Sequence, residues 1–361
     1  MTAPSPTISF VIPTLNFAQF LPETLDSIVD EGHAPIEIVV FDGGSTDNTL
    51  DVLEAYRRDR FPDLKVLVAT EHGNIDIDLN KAVAAATGDY VWTLSADDAL
   101  MPGWSQAIRA ELTAAPDLLL VPAIHCDVNL RPRRNYPILR DDSAPYRTRI
   151  ANDADLFAYL GRVRTSEGLF SFCSATIVRR ERLLQVPLLE DANGTCWRYS
   201  ARLIAVLTRY PSSIAILVTP LLLKRGDNDS FSQAGPVRRL KIATQNWDHA
   251  IRSLGLGSEV SSALASHAKA DIRPTTLLFL TQFVRDADEQ AIYNACVRSR
   301  IGRDSLAARA LATILQRFPR LPIMQRALPL ARQGLRSLQQ RAWSARLATV
   351  ATPQRSPAVG E

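Results

Sequence analysis

The stretch YVWTLSADDAL, residues 90–100, begins as an apolar run and ends in two adjacent carboxylates, Asp97 and Asp98. Its first half is typical of a buried β-strand, because aromatic, β-branched and leucine side chains follow one another without a charge. Aspartate is seldom buried unless it is paired, so two aspartates mark the point where the strand leaves the core. The stretch therefore predicts a strand that carries two acids to the edge of a sheet.

The segments before this stretch repeat the same pattern of a short strand followed by a helix. We expect strands at 7–14, 36–42, 64–70 and 89–95, and helices at 20–31, 47–59 and 78–87. Parallel strands need crossover helices, so this order predicts an α/β fold with a doubly wound, mostly parallel sheet flanked by helices. Ligands of such sheets bind at the carboxyl ends of the strands. The residues expected at that edge are Pro13, Thr14, Asn16, Asp42 with the DGGSTD loop at 42–47, Asp97 and Asp98.

The rest of the chain is less regular and then becomes helical. Residues 169–183 predict a strand followed by a helix, and residues 214–231 predict a strand followed by a polar loop. Beyond residue 236 the pattern is mainly helical. We therefore expect an α/β domain over 1–235, with halves 1–125 and 126–235, and a helical region over 236–361.

The charge of the chain is concentrated near its end. The formal net charge is only +3, yet residues 301–361 hold ten Arg and, as acids, only Asp304 and Glu361. A basic amphipathic segment is typical of a membrane-surface helix, so we expect peripheral attachment to the anionic inner face of the cytoplasmic membrane. A solvated helical face or a contact in a homodimer would explain the same pattern. The absence of Lys and of interleaved aromatic residues argues against nucleic acid.

The sequence lacks the motifs that are typical of several other function classes. The four Cys lie far apart with no C-x-x-C pair, so neither a zinc site nor a disulfide framework is predicted. The N-terminal residues lack the pattern of a signal peptide, and the apolar stretch at 212–223 is shorter than the ~20 residues that span a bilayer, which together predict a cytoplasmic location. Dinucleotide-binding, P-loop and G-x-S-x-G motifs are missing. None of the five His has metal-ligand spacing.

Two adjacent acids at a strand end suit a hard divalent cation, Mg²⁺ or Mn²⁺, shared with a diphosphate. Adjacent acids are also common in ordinary loops, so the pair alone has low specificity.

Three motifs, taken in sequence order, make a functional role of these two acids more specific. ISFVIPTLNFAQFLPETLDSIV, IEIVVFDGGSTDNTLDVL and ATGDYVWTLSADDALMPG resemble successive motifs of the family 2 nucleotide-sugar glycosyltransferases with the GT-A fold. The resemblance covers about residues 7–125. The segments GNIDIDLNKAV, LFSFCSATIVRRERL, NGTCWRYSARL and RGDNDSF are similar to the bacterial abequosyltransferase-like branch, which acts in O-antigen and surface-polysaccharide assembly.

The resemblance implies an activity. It implies an inverting transfer of a hexose or deoxyhexose from a nucleoside-diphosphate sugar to a hydroxyl of a lipid-linked or surface-polysaccharide oligosaccharide. By position, Asp97 matches the metal-coordinating acid of the family. Ser95 stands where the family usually has another acid, which weakens the metal motif and leaves open a non-catalytic nucleotide- or glycan-binding module docked at the membrane.

The donor contacts also follow from the resemblance. Residues in the loops that meet the donor are Pro13, Thr14, Asn16, Asp42, Asp76, Asp78, Ser95, Ala96 and Asp98. Gly43 replaces the acid expected to hydrogen-bond the base, so the base preference stays open. Asp76 and Asp78 are equally well explained as the acidic first turn of a capped helix.

On the acceptor side, the resemblance implies a catalytic base in LEDANGTCWRYSARL. Asp191 is the favoured base and Glu190 the second candidate, and an acidic loop before a helix is the alternative interpretation. Arg225, Asn228 and Asp229 form a polar cluster at a strand end that suits phosphate or sugar hydroxyls. Trp92 and Trp197 could stack on a sugar or base, although aromatic residues are more often part of the core.

Overall fold

The computed structural model describes residues 5–29, 31, 35–71, 73–228, 235–269, 272, 276–277 and 280–301. Asp229 and nearly all of the Arg-rich segment, 302–361, lie outside the described residues. The expectations for both therefore stay predictions.

A large mixed sheet forms the centre of the molecule. Its eight strands, numbered by chain position, are β1 (Ile8–Thr14), β2 (Ile36–Asp42), β3 (Lys65–Val68), β4 (Tyr90–Thr93), β6 (Leu118–Leu120), β9 (Tyr146–Ile150), β10 (Thr176–Arg179) and β11 (Ser212–Ile216). Their spatial order is β3-β2-β1-β4-β10-β6-β11-β9.

The half of this sheet built from β1 to β4 is parallel, as the repeated strand-helix pattern predicts. The other half is mixed, because β10 runs antiparallel to both β4 and β6, while β11 is parallel to β6 and antiparallel to β9. The predicted α/β class with a sheet between helices is confirmed. The antiparallel insertion of β10 needs contacts distant in sequence, so local periodicity could not reveal it.

A second, four-stranded sheet lies beside the end of β4. Its strands are β5 (Ala99–Leu100), β7 (Ala123–Cys126), β8 (Pro132–Tyr136) and β12 (Leu222–Lys224), in the order β5-β12-β7-β8. Leu222 pairs with Leu100 and with Ala123. The acidic residues 97–98 thus lie in a loop held between the main sheet and the small one.

Helices flank the main sheet and form the C-terminal region. They are α1 (Leu21–Val29), α2 (Thr49–Asp59), α3 (Ile75–Ala85), α4 (Trp104–Leu112), α5 (Asp153–Arg162), α6 (Arg180–Gln185), α7 (Arg198–Arg209), α8 (Pro236–Lys241), α9 (Trp247–Arg252), α10 (Ser258–Lys269) and α11 (Ala287–Ile301). No helix among the described residues is both long and apolar enough to cross a membrane.

Helix α3 begins three residues earlier than the sequence pattern predicts. The Asn74 side chain accepts hydrogen bonds from the backbone N–H groups of Asp76 and Ile77, which are otherwise unsatisfied at a helix start. Asp76 and Asp78 therefore lie in the first turn. The predicted acidic first turn is correct, and Asn74 is its N-cap.

Buried apolar residues pack on each side of the main sheet in two large clusters. In one of them Trp92 stacks on Phe10 and meets Trp104 edge to face. The Trp92 indole N–H donates to the carbonyl of Ser174 at 2.8 Å, which satisfies its polar atom inside the core. Trp92 is therefore a core residue.

The C-terminal helices begin after the last strand. Residues of α9 and α10 join the larger core cluster, whereas α8 and α11 share a smaller one around Tyr293. The proposed boundary at 235 falls just before α8. The division into two domains stays a prediction, since α9 and α10 pack against the α/β part.

Glu37 joins four segments at the amino end of the parallel strands. Its carboxylate accepts hydrogen bonds from Ser9, Lys65 and both the backbone and the hydroxyl of Thr87. Burial acts to raise the pKa of Glu37, but these donors together outweigh it and lower the pKa to about 2. The ionised form is thus favoured by folding.

We expect Glu37→Gln to reduce the free energy of unfolding at pH 7 by about 1–2 kcal/mol, allowing for solvent screening. The pKa of Glu37 is lower in the folded chain than the usual 4.5, so its contribution is complete above pH 4.5 and disappears as the pH falls through 2. Urea denaturation at pH 7 and at pH 3 measures this. Glu54→Gln, at an exposed ion pair with Arg57, is the control and should change stability little. Equal losses of unfolding free energy in both variants would contradict the stabilising role of Glu37.

Candidate active site

The loops after β1 and β2 are tied together by Asn16. Its side-chain oxygen accepts hydrogen bonds from the backbone N–H groups of Thr46 and Asp47, and its own backbone N–H donates to Ser45. Asn16 adopts a φ of 59°, a left-handed conformation that Asn tolerates better than most residues. Both predicted donor loops therefore meet at the carboxyl edge of the sheet.

Asp42 shapes the second of these loops from inside. Its carboxylate is fully buried and accepts hydrogen bonds from the N–H groups of Gly44 and Ser45 and from the Ser45 hydroxyl. These bonds fix the turn of the DGGS segment. Asp42 thus acts on the shape of the loop through contacts within its own segment.

Asp78 and Thr14 lie beside this turn with unpartnered polar atoms. Asp78 Oδ1 and Thr14 Oγ1 are both buried without a hydrogen-bond partner among the described residues. Burial, and to a smaller degree the charge of Asp42, raises the pKa of Asp78. Buried polar groups without a partner are rare in native proteins and call for an explanation.

Asp76, unlike Asp78, has hydrogen-bond partners within the protein. Its carboxylate accepts hydrogen bonds from the N–H groups of Cys196 and Arg198 at the start of α7, at 2.9 and 3.1 Å. Burial is the main cause that raises the pKa of Asp76. Asp76 therefore connects the amino ends of α3 and α7, and its described contacts are structural.

The loop after β4 presents Asp97 and hides Asp98. Asp97 is partly exposed, and its carboxylate accepts hydrogen bonds from the Ser95 hydroxyl and, at 2.6 Å, from the Asn228 amide. Ser95 thus holds the acid rather than replacing it, and Ala96 beside it is buried. Three of the predicted site residues, Ser95, Asp97 and Asn228, are brought together here.

Asp98 points into packed protein. Its two oxygens accept hydrogen bonds from the Ser174 hydroxyl and the backbone N–H of Arg225, and the residue is only 2% exposed. Burial first, and the neighbouring charge of Asp97 second, raise the pKa of Asp98 to about 8. Asp98 therefore anchors the loop that displays Asp97.

Arg225 closes the same loop from the far side. Its buried guanidinium donates to the carbonyls of Asp97 and Val128 and to the carboxylate of Glu23, and it lies over the Phe20 ring at 4.6 Å. The sequence indicates a group that binds phosphate or sugar hydroxyls. The structure instead uses these donors within the protein, so Arg225 is a positioning residue.

We expect Arg225→Lys to reduce the free energy of unfolding by about 2–4 kcal/mol, because an ammonium group cannot reproduce three forked contacts in a buried site. Urea denaturation measures the loss. Arg133→Lys is the matched control, since Arg133 on β8 makes an exposed ion pair with Asp227 in the loop after β12. Equal stability of Arg225→Lys and the parent chain would refute the positioning assignment.

Comparisons with known proteins identify the family to which the chain belongs. Residues 9–183 match the family model described as Glycosyl transferase family 2. Abequosyltransferase RfbV of Salmonella typhimurium is 32% identical over 244 residues, which cover 65% of this chain and 71% of the relative. The chain belongs to glycosyl transferase family 2. Its similarity to RfbV confirms the prediction that it lies close to the abequosyltransferase-like branch.

Other comparisons agree on the family and the fold. A PGL/p-HBAD biosynthesis glycosyltransferase of Mycobacterium tuberculosis is 41% identical over 96 residues, but these cover only 27% of this chain and 37% of the relative. The crystal structure of S. aureus TarS 1-349 in complex with UDP-GlcNAc superimposes with a TM-score of 0.58 at 16% identity, covering 94% of this chain and 92% of that chain. This likeness confirms the predicted GT-A fold.

The two acids predicted as the base of the glycosyltransferase lie in an exposed turn before α7. Glu190 is paired with Arg198 at 2.5 Å, and the backbone carbonyl of Asp191 is 2.7 Å from His249 Nε2. Within the described ranges, no hydrogen bond to the Asp191 carboxylate is found. Asp191 is thus available to solvent or a substrate, whereas Glu190 is held by a partner.

Trp197 lies next to this turn and is partly buried. Its indole N–H donates to the carbonyl of Ile242 at 2.6 Å, and its ring meets Trp247 edge to face. These contacts attach Trp197 to the segment from Ile242 to the start of α9. A stacking role on the acceptor stays a prediction.

A metal at this site of the glycosyltransferase would have to take most of its ligands from a substrate. Within the described ranges, no group of three or more His, Cys, Asp or Glu is arranged to hold an ion. Asp97 offers a partly exposed carboxylate at this edge of the sheet. Hard oxygen ligands of this kind suit Mg²⁺ or Mn²⁺ when diphosphate oxygens complete the coordination.

Residues that the sequence pattern did not single out support the loop. Ser174 contacts both Ser95 and Asp98, and Lys224, next to Arg225, lies 3.7 Å from the buried carboxylate of Glu167. Glu167 is also 3.5 Å from His125. These residues come from separate strands and turns, so only their assembly in the fold reveals the group.

Proposed function

We propose that the chain is an inverting glycosyltransferase that moves a hexose or deoxyhexose from a nucleoside-diphosphate sugar to a hydroxyl group. The acceptor is a lipid-linked or surface-polysaccharide oligosaccharide, as the resemblance to the abequosyltransferase-like branch implies. The observation that carries the proposal is the loop of residues 95–98, which displays Asp97 beside the nucleotide loops and is fixed by Asp98 and Arg225. A rigid charged group at the carboxyl edge of the sheet suits diphosphate chemistry.

The donor is placed by the loops after β1, β2 and β4. In the proposal, the segment from Pro13 to Asn16 and the DGGS turn receive the nucleoside, and Asp97 lies next to the diphosphate. RfbV and TarS support this class of donor through family and fold, respectively.

Transfer needs a base on the acceptor side. Asp191 takes the proton of the acceptor hydroxyl as that oxygen bonds to the anomeric carbon, and the bond to the nucleoside diphosphate breaks on the opposite face. This displacement inverts the anomeric centre. Glu190, paired with Arg198, remains the second candidate for this role.

Asp97, with oxygens of the donor, would hold the divalent cation, Mg²⁺ or Mn²⁺. When bound, such a cation supplies positive charge that stabilises the departing diphosphate.

A donor screen tests the proposal. We expect one nucleoside diphosphate, and its sugar, to raise the melting temperature in the presence of Mn²⁺, since a ligand that binds only the folded state stabilises it. Release of nucleoside diphosphate from that sugar separates a transferase from a non-catalytic binding module. Stabilisation without any release would favour the binding module, and no stabilisation by any donor would contradict both.

The membrane part of the proposal rests on sequence alone. We propose a cytoplasmic protein attached peripherally to the inner face of the membrane through the Arg-rich segment at 301–361, which would bring the cleft to a lipid-linked acceptor. Flotation with acidic liposomes, comparing the full chain with one that ends at 300, tests the attachment. Equal flotation of the two chains would exclude membrane attachment through this segment. The segment would then be a solvated helical face or a homodimer contact, and sedimentation would distinguish these by the oligomeric state.

A further inference from the structure

A large cavity lies at the amino edge of the parallel strands, away from the loop that displays Asp97. It has a volume of about 1110 Å³ and opens between the end of α4 and helix α6. Pro6 and Asp89, which come just before β1 and β4, also line it. Parallel strands direct their carboxyl ends, and with them the donor loops, to the opposite edge. The cavity is therefore separate from the proposed donor site.

Three arginine side chains line this cavity from two directions. Arg109 comes from α4, whereas Arg179 and Arg180 come from the end of β10 and the start of α6. The Nε atom of each guanidinium is buried and has no hydrogen-bond partner among the described residues. Buried polar groups usually find a partner, so three unused donors around one cavity suit an acceptor that enters it.

The positive charges of Arg180 and Arg109 are not neutralised by a carboxylate. For the Arg180 side chain, no hydrogen bond or ion pair is found within the described ranges. Arg109 donates to the carbonyls of Pro6 and Pro35, at 3.2 and 3.4 Å, and burial lowers the pKa of Arg109. Carbonyl groups carry no net charge, so an anion in the cavity would stabilise these cations.

The third guanidinium, that of Arg179, shares its carboxylate with another arginine. Arg179 Nε is 3.7 Å from Asp117 Oδ1, an atom that already accepts a hydrogen bond of 2.9 Å from Arg182 Nε. The other oxygen of Asp117 accepts from the backbone and the hydroxyl of Ser213. Asp117 therefore neutralises the pair of arginines only in part.

The rest of the cavity wall combines two acids with apolar side chains. Asp89 accepts a hydrogen bond from the backbone of the residue before β1, Glu181 is exposed, and neither forms an ion pair with the three arginines within the described part of the chain. Leu112 is buried, whereas Leu184 is 48% exposed beside the guanidinium groups. This wall, together with a volume that holds more than a bare anion, suits a ligand with an anionic group and an apolar part.

We propose that this cavity is a second ligand site, which binds the phosphate group of an organic phosphomonoester through Arg180, Arg179 and Arg109. Guanidinium groups donate paired hydrogen bonds to phosphate, and a doubly charged group neutralises these arginines better than a carboxylate does. The apolar part of the ligand lies against Leu112 and Leu184. Because the two sites lie at opposite edges of the sheet, this ligand binds independently of the donor. A soluble phosphorylated metabolite and the headgroup of phosphatidate share this chemistry.

Calorimetry on the full-length chain tests the site, with phenyl phosphate, inorganic phosphate and benzoate as probes and without divalent cations. The variants are Arg180→Gln, which removes one guanidinium, and Leu184→Glu, which adds negative charge at an exposed position of the wall. Arg252→Gln, at the exposed end of α9, makes the same change of charge elsewhere. Asp97→Ala tests independence from the donor edge. Thermal unfolding checks that each variant folds.

We expect the parent chain to bind phenyl phosphate more tightly than inorganic phosphate or benzoate. Arg180→Gln should weaken the binding of phenyl phosphate about tenfold to a hundredfold, the range for hydrogen bonds to a charged group. Leu184→Glu should weaken it by about threefold or more through repulsion between like charges. Arg252→Gln and Asp97→Ala should bind it as the parent chain does.

Flotation with phosphatidate vesicles distinguishes the two sources of the phosphate. Weaker flotation of full-length Arg180→Gln than of Arg252→Gln would identify the lipid headgroup as the ligand. Equal flotation of these two variants, with weaker binding of phenyl phosphate by Arg180→Gln alone, would identify a soluble phosphomonoester.

Four results would overturn the inference. They are a parent chain that does not bind phenyl phosphate, unchanged binding in Arg180→Gln or Leu184→Glu, equal weakening in Arg180→Gln and Arg252→Gln, and tighter binding of benzoate than of phenyl phosphate. Loss of phenyl phosphate binding in folded Asp97→Ala would also contradict it, because the phosphate would then lie at the donor edge.

Discussion

Asp97→Ala is expected to lower kcat/KM for sugar transfer by about 1,000-fold or more, the scale seen when a group that stabilises transition-state charge is removed. Asp97 is the displayed member of the acidic pair, since Asp98 is buried and held by Ser174 and Arg225. The alanine variant keeps that anchor and loses the partly exposed carboxylate with its hydrogen bonds from Ser95 and Asn228. Transfer is measured by release of nucleoside diphosphate.

Two controls show whether the loss is local. Asp142→Ala removes an exposed loop carboxylate far along the chain and should leave transfer unchanged. The melting temperature of Asp97→Ala should stay near that of the parent chain, because the core bonds of residue 98 remain. Turnover by folded Asp97→Ala at the parent rate would remove Asp97 from the active site.

The sequence predicted the part of the fold that depends on local periodicity. The strands expected at 7–14, 36–42, 64–70 and 89–95 correspond to β1 to β4 within a few residues. Their parallel pairing followed from the crossover helices. The strand and helix expected within 169–183 correspond to β10 and α6. The second sheet and the antiparallel insertion of β10 were missed, because pairing with partners distant in sequence leaves no local pattern.

The site was predicted less completely than the fold. The sequence indicated that Asp97 and the nucleotide loops would share an edge, which follows from parallel strands. The resemblance gave Asp97 as the metal ligand and Asp98 as a donor contact, but the sequence could not show that Asp98 is buried. Arg225 likewise looked like a ligand for phosphate or sugar hydroxyls. Burial and partners decide these roles, and Ser174, Glu23 and Val128 supply them from distant segments.

Position 43 shows the same limit. In the sequence, Gly43 is simply a departure from the family pattern. Only the structure shows that a carboxylate 35 residues later occupies the space beside it.

Asp191→Ala should lower kcat by about 100- to 10,000-fold while the dissociation constant of the donor stays unchanged, because a general base acts on the acceptor hydroxyl and not on the nucleotide. Asp191 is exposed, and its contact with His249 uses the backbone carbonyl, so the substitution removes no side-chain hydrogen bond within the described residues. Turnover and calorimetric donor binding are measured on the same preparation.

Glu190→Gln is the variant that distinguishes the two candidate bases. Glu190 is paired with Arg198, so the amide would weaken an ion pair at the start of α7 and change turnover only modestly if Asp191 is the base. A large loss of kcat in Glu190→Gln with near-normal turnover in Asp191→Ala would assign the base to Glu190. Near-normal turnover in both variants would place the base on another residue. A higher dissociation constant of the donor in Asp191→Ala would assign Asp191 to donor binding instead of proton transfer.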